Sequence, residues 1–345
     1  MKLSRILICL VAVCGLTSLA LISQDAAPVS AKMVDAAEKF LASLNDEQRK
    51  KATFDFDDKH RVEWFFTPQQ NNETKKYTRK GLPFEDLNDD QKKLALELLK
   101  SGTSPVGFNQ ATTIMSLENV LKETEPPKKN GMVRNTNWYF VSFFGSPTKT
   151  GKWGWRFEGH HLSINFVLDR GQIASITPYM FGANPAEVKE GPKKGQRALP
   201  EIEDHARELI KSLNGVQLKD AKRAEGDLKE VAENTKAATP GTPVGIPVTR
   251  LDEKQKEILL KLMKAYTDRM PENVGMAEFN AAKQAGFDKI FFAYSGDPTP
   301  GKPYMYRIHG PSFLVEFLNV QADGSGNPAN HIHSAWRHLP SDFGL

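Results

Sequence analysis

Gly81 to Lys100 reads GLPFEDLNDDQKKLALELLK, and Gly245 to Lys264 reads GIPVTRLDEKQKEILLKLMK. Both stretches enter on Gly-x-Pro and then carry Asx-x-x-Gln. The Asx side chain of Asn88 or Asp252 caps a free N–H of the first turn, and Gln91 or Gln255 reaches back from three residues on. Leu94, Leu98 and Leu99 recur at helical spacing, as do Ile258, Leu259, Leu262 and Met263. Each stretch therefore predicts a helix that buries one face. Asn45-Asp46-Glu47-Gln48 repeats the cap signature. Such acidic clusters also occur at metal sites, but capping accounts for them.

The likeness extends outward. Ala36 to Asn45, AAEKFLASLN, matches His205 to Asn214, HARELIKSLN. Gly145, Pro147, Arg156, Gly159 and Phe166 match Gly296, Pro298, Arg307, Gly310 and Phe317 at one offset of 151, after offsets of 169 and 164 earlier in the chain. Three blocks in the same order predict an internal duplication, with repeats over 32–190 and 195–345 and shorter loops in the second. After the helices come runs rich in β-branched and aromatic residues, at 138–144, 153–158, 160–168 and 172–177, then at 289–295, 304–309, 312–319 and 331–337. Ser146-Pro147, Asp297-Pro298 and Asp169-Arg170-Gly171 mark the turns. Consecutive strands on short loops imply antiparallel pairing. The expected class is α+β, with two related repeats, each of helices followed by an antiparallel sheet, packed about a pseudo-twofold axis. No Gly-rich phosphate loop follows a strand, so there is no nucleotide fingerprint.

Composition sets the bounds. With 345 residues, 39% apolar and 26% charged, the chain is no collagen, coiled coil or polytopic membrane protein. Its formal charge is +4, spread among alternating signs, which gives no case for nucleic acid. Met1 to Arg5 supplies two positive charges, Ile6 to Ile22 is an almost unbroken apolar run, and Val29-Ser30-Ala31 offers small residues for a peptidase. Residues 1–31 therefore read as a secretory signal cleaved before Lys32, with a retained membrane anchor as the alternative. The expected location is periplasmic or secreted, off the membrane once cleaved. Cys9 and Cys14 are the only cysteines, so the remainder has no disulfide, thiol nucleophile or thiolate ligand.

Several segments carry a family resemblance: Arg79-Lys80-Gly81-Leu82-Pro83, Trp155 to Ser163 (WRFEGHHLS), Gly182-Ala183-Asn184-Pro185, Asn330 to Arg337 (NHIHSAWR) and Asp342-Phe343-Gly344. With these the chain resembles the uncharacterised family called domain of unknown function 3500. His338 departs from the acid expected after Arg337. The resemblance implies an extended two-repeat protein, often exported, and no particular activity.

Chemistry must then come from the residues. His331 and His333 are two apart, so on a strand both imidazoles share one face, about 6.5 Å apart by backbone rise. That spacing suits two ligands of one cation. Glu316 is the lone acid in the apolar run Phe313 to Leu318. If the Gly-rich loop 320–329 folds symmetrically, paired residue numbers sum to about 649, and Glu316 falls near His333. Two histidines and a carboxylate would make a facial set with open positions. His161, which aligns with Ser312, either completes this site across the repeats or belongs to a separate one. The expected metal ligands are His331, His333, Glu316 and His161, for a divalent ion such as zinc, iron or copper. Glu316 and Arg337 are the catalytic candidates, with Arg337 contacting an unidentified small-molecule substrate. Against this stands an ordinary ion pair of Glu316 with Arg337 or Arg307. His160 and His309 read as structural. Arg156 and Arg307 read as carbonyl-bonding structural residues before clamps for a carboxylate. Trp336, of opposite parity to the histidines, reads as core; Trp153 and Trp155 read as core or as a sugar platform. The favoured function is a metal-dependent enzyme, a hydrolase before an oxygenase, and the alternative is a non-catalytic exported ligand- or metal-binding module.

Overall fold

The computed structural model describes residues 27–125 and 131–345. The chain runs through helices α1 (Ala27–Ala42) and α2 (Asp46–Ala52), short strands β1 (Thr53–Phe54) and β2 (Leu82–Pro83), then helices α3 (Asp89–Ser101) and α4 (Pro105–Thr124). Strands β3 (Tyr139–Phe144), β4 (Lys152–Gly159), β5 (Leu162–Asp169), β6 (Gln172–Ser175) and β7 (Tyr179–Ala183) follow. A second run begins with α5 (Pro200–Ser212), α6 (Gly215–Ala221), β8 (Ile246–Pro247), α7 (Glu253–Thr267) and α8 (Glu272–Gln284). It ends with β9 (Phe291–Gly296), β10 (Tyr304–His309), β11 (Phe313–Asn319) and β12 (Ile332–His338). The class is α+β, with helices ahead of the strands in each run.

The caps form as their sequences require. Asn45, Asn88 and Asp252 each close a capping box with the Gln three residues on, and so does Asn214 with Gln217. The boxes are also tied in pairs. The side-chain amides of Gln48 and Gln91 bond reciprocally at 2.9–3.0 Å, and those of Gln217 and Gln255 at 2.8–2.9 Å. Gln91 then donates to the Ser43 carbonyl, as Gln255 does to that of Ser212. One amide pair thus satisfies two helix starts and fixes their spacing.

All strands join one sheet rather than two. Its order is β1-β3-β4-β5-β7-β12-β11-β10-β9-β8, with β2 on β3 and β6 on β5. The seam is β7 against β12, antiparallel, with Tyr179 opposite Trp336. The sequence pattern gave no strand at β7, a five-residue stretch interrupted by Gly182. Phe140 pairs with Glu158 and Arg156 with Asn165; Phe291 pairs with His309 and Arg307 with Glu316. The two three-strand meanders therefore share one register at the offset of 151.

One sheet face is apolar and carries the helices. Trp153, Trp155 and Phe157 of β4 and Tyr304, Tyr306 and Ile308 of β10 are buried there. Trp155 stacks on Phe166 at 4.9 Å, which leaves no exposed platform for a sugar. Trp336 stacks on Phe313 at 4.6 Å in the same layer. The other face is polar and lies beneath two irregular straps, residues 55–81 and 222–245. These straps clasp each other. The Glu233 carboxylate accepts from the Phe66 and Thr67 amides and the Thr67 hydroxyl, and the Trp64 indole donates to the Thr235 carbonyl. Arg156 serves this face by donating to the carbonyls of His60, Arg61 and Glu63.

At the N-terminus, residues 1–26 lie outside the described residues. Val29-Ser30-Ala31 lies inside α1, where Ser30 is buried and donates to the Gly171 carbonyl. The small-residue triplet thus has a packing role, and a cut before Lys32 would remove the first turn.

Candidate metal centre

Three imidazoles from two parts of the sheet converge at one point. His161 comes from the β4–β5 turn, which Gly159 and Leu162 close as a pair. The sequence pattern placed His160 and His161 within a strand, whereas they form the turn itself. His161 has φ +62, a left-handed conformation that costs a non-glycine residue about 1 kcal/mol or more. Its N–H donates to the Phe66 carbonyl and its carbonyl accepts from Gly182, so both straps and strands hold it there. His331 immediately precedes β12, and His333 lies within it.

The Nε2 atoms of His161 and His331 are 2.7 Å apart, those of His161 and His333 3.2 Å, and those of His331 and His333 3.1 Å. His161 and His333 are buried and His331 half-buried. Among the described residues this trio is the cluster of three or more ligating side chains whose spacing suits one metal ion.

Each ring is held from behind. His333 Nδ1 donates to the carboxylate of Glu230, from the second strap, and the ring meets the edge of Phe66 at 4.7 Å. The His331 imidazole is bonded to the Ala322 backbone, and its amide donates to Asn319 Oδ1. The His160 ring lies 3.8 Å from that of His161. His160 is bonded in turn to Glu118, a buried acid on α4, and approached by Arg134, which grips Glu125 with two bonds. Gly182 stands opposite His333 in register; a Cβ there would lie 2.5 Å from the Ile332 carbonyl and 3.0 Å from the His161 ring. The glycine makes room for the ligand.

Electrostatics agree with the geometry. Burial, then the neighbouring histidines, pushes the His161 imidazole well below its ordinary range. Burial, then His333, lowers His331 to about 2. His333 turns Nδ1 to the Glu230 carboxylate and Nε2 inward to the other two rings. His161 and His331, both held neutral, thus converge with His333 on a point that a cation would fill.

The other expected site residues lie elsewhere. Glu316 is on the same sheet face as His333 but pairs with Ala335, while Leu318 faces His333. The β11–β12 hairpin is displaced by two residues from the symmetric fold, so paired numbers sum to 651 rather than 649. Glu316 instead accepts from Arg307 at 3.3 Å, and burial raises its pKa despite that cation. Arg337 is fully buried and committed: Nε and Nη2 bond Asp342 at 2.9 and 2.7 Å, and the fork also takes the carbonyls of Ala232 and Thr235. It fastens the second strap and the C-terminal turn, and its full burial keeps it from a substrate. Glu230 and Glu118 went unread because they lie far off in sequence, in a strap without periodicity and on helix α4.

No curated protein and no solved structure matches the chain. Residues 26–345, nearly the whole chain, match the model of the family described as protein of unknown function (DUF3500), and the chain belongs to that family.

Proposed function

We propose that this protein is an exported metal-dependent enzyme, a hydrolase, whose centre is a divalent cation held by His161, His331 and His333. The observation that carries the reading is the convergence of three Nε2 atoms within 3.2 Å of one another. Three neutral nitrogens leave the ion its full charge and positions for water, whose pKa falls toward about 7 on such a cation. A cation held there by His161, His331 and His333 would supply activated water for hydrolysis. Glu230 acts as a positioning residue that fixes the His333 tautomer.

Two further parts of the reading have their own support. A duplicated unit, with repeats over 32–190 and 195–345 related by a pseudo-twofold at the β7–β12 seam, is supported by the shared register and the paired capping boxes. The centre then spans both repeats. Export is supported by the charged and apolar order of Met1 to Ile22 and by cysteines confined to that stretch. The test is elemental analysis of protein purified without a histidine tag. About one divalent metal per chain, lost in His161→Ala, is expected; a metal-free protein that takes up no cation at neutral pH refutes the reading.

A further inference from the structure

We infer that the centre holds a six-coordinate cation and takes a substrate that chelates it through two adjacent oxygen atoms. This deepens the metal reading above and rests on it. The three Nε2 separations average about 3.0 Å. With metal–nitrogen bonds of about 2.1 Å, that spacing subtends about 90° at the ion, whereas a tetrahedral centre needs about 3.4 Å. The triangle therefore matches one face of an octahedron, and an ion seated on it would have three further, mutually adjacent coordination positions.

The protein resists opening this triangle. Glu230 and Phe66 hold His333, Ala322 and Asn319 hold His331, and the His160 ring backs His161 over the bare Cα of Gly182. Spreading the nitrogens by about 0.4 Å, as tetrahedral geometry demands, would disturb contacts at all three rings. Two open positions at about 90° fit a five-membered chelate, as formed by a 2-hydroxy acid, a hydroxamate or a vicinal diol. The third open position keeps the water that attacks. Because no carboxylate ligates the ion, its full charge favours an anionic chelator over a neutral one.

The test uses cobalt(II) in the untagged, metal-stripped full protein, with acetohydroxamate as bidentate probe and acetate as monodentate control. The expected result is a weak visible band, typical of six-coordinate cobalt, that shifts with acetohydroxamate at a concentration roughly tenfold or more below that needed with acetate. An intense tetrahedral band, or equal responses to the two probes, overturns this inference and leaves the metal reading standing. Failure to bind cobalt, zinc or iron overturns both.

Discussion

Removing the metal should leave a protein that is unusually sensitive to mild acid, and the size of the effect follows from two buried imidazoles. His331 is lowered to about 2 and His161 well below its ordinary value, in each case first by burial. In the unfolded chain both titrate near 6.5. Below that pH the unfolded chain binds protons that the folded state refuses, so stability falls as pH falls and is fully present only above about 6.5. At pH 5.5 the loss is about 1 to 2 kcal/mol per imidazole, or about 3 kcal/mol for the pair. The assay is urea unfolding of chelator-treated protein at pH 7.5 and 5.5, in the wild type and in His331→Gln. Background carboxylates titrate alike in both, so the difference between the two pH dependences isolates His331. The wild type should lose about 1 to 2 kcal/mol more than the variant over this interval. Equal pH dependence would mean that His331 titrates normally in the fold, and the account of a buried neutral cluster would be wrong.

Other consequences are open to measurement. Alanine at His161, His331 or His333 should each abolish stoichiometric metal binding. Trp336→Phe, in the helix-facing layer, should keep the metal and lower stability by about 1 to 3 kcal/mol through lost packing; metal loss in that variant would contradict the placement. Glu316→Gln should retain the metal yet destabilise the fold, because it keeps an oxygen acceptor for Arg307 but removes the anion that compensates this buried guanidinium. Glu230→Ala should weaken metal affinity roughly 10- to 100-fold, and Glu230→Gln should recover part of it, as titration calorimetry would report. If the chain is exported, intact mass should place the processed N-terminus upstream of Ala27, since Ser30 is packed inside α1; a start at Lys32 would refute this.

Local rules carried much of the fold. Cap chemistry is set within four residues, and all three Asx-x-x-Gln sites noted in the sequence formed their boxes. Enrichment in β-branched and aromatic residues gave the long strands to within one or two residues, since most are buried on both faces. What failed was non-local. β7 is short and broken by Gly182, and its strand character comes from lying between β5 and β12. The β11–β12 register depends on how a twelve-residue loop, 320–331, is seated, and that loop is pinned by Asp323 accepting from Ser325, Asn327 and Asn330. A slip of two residues keeps every side chain on its face and still moves Glu316 about 7 Å along the strand. Parity was legible; distance was not. The third histidine was legible only as a candidate, because the β4–β5 turn meets β12 only through the β7 seam.

The false signal at Glu316 explains itself when the two meanders are compared at the offset of 151. In the first, Arg156 lies 3.8 Å from Glu158 and bonds Asn165. In the second, the positions of Glu158 and Asn165 are held by His309 and Glu316, and Arg307 bonds Glu316. The carboxylate beside the arginine lies on β4 in the first meander and on β11 in the second. The acid that looked isolated in an apolar run is thus the counter-ion of Arg307, required because a buried guanidinium without an anion is costly. Exchanges that compensate one another in this way answer to the fold. His160-His161 against Pro311-Ser312 has no such compensation: the backbone of Ser312 accepts from Leu339, a role its side chain does not need. An uncompensated exchange that also places a histidine at positive φ, over a glycine and against two more histidines, has a cost in the fold that a ligand at the centre would offset.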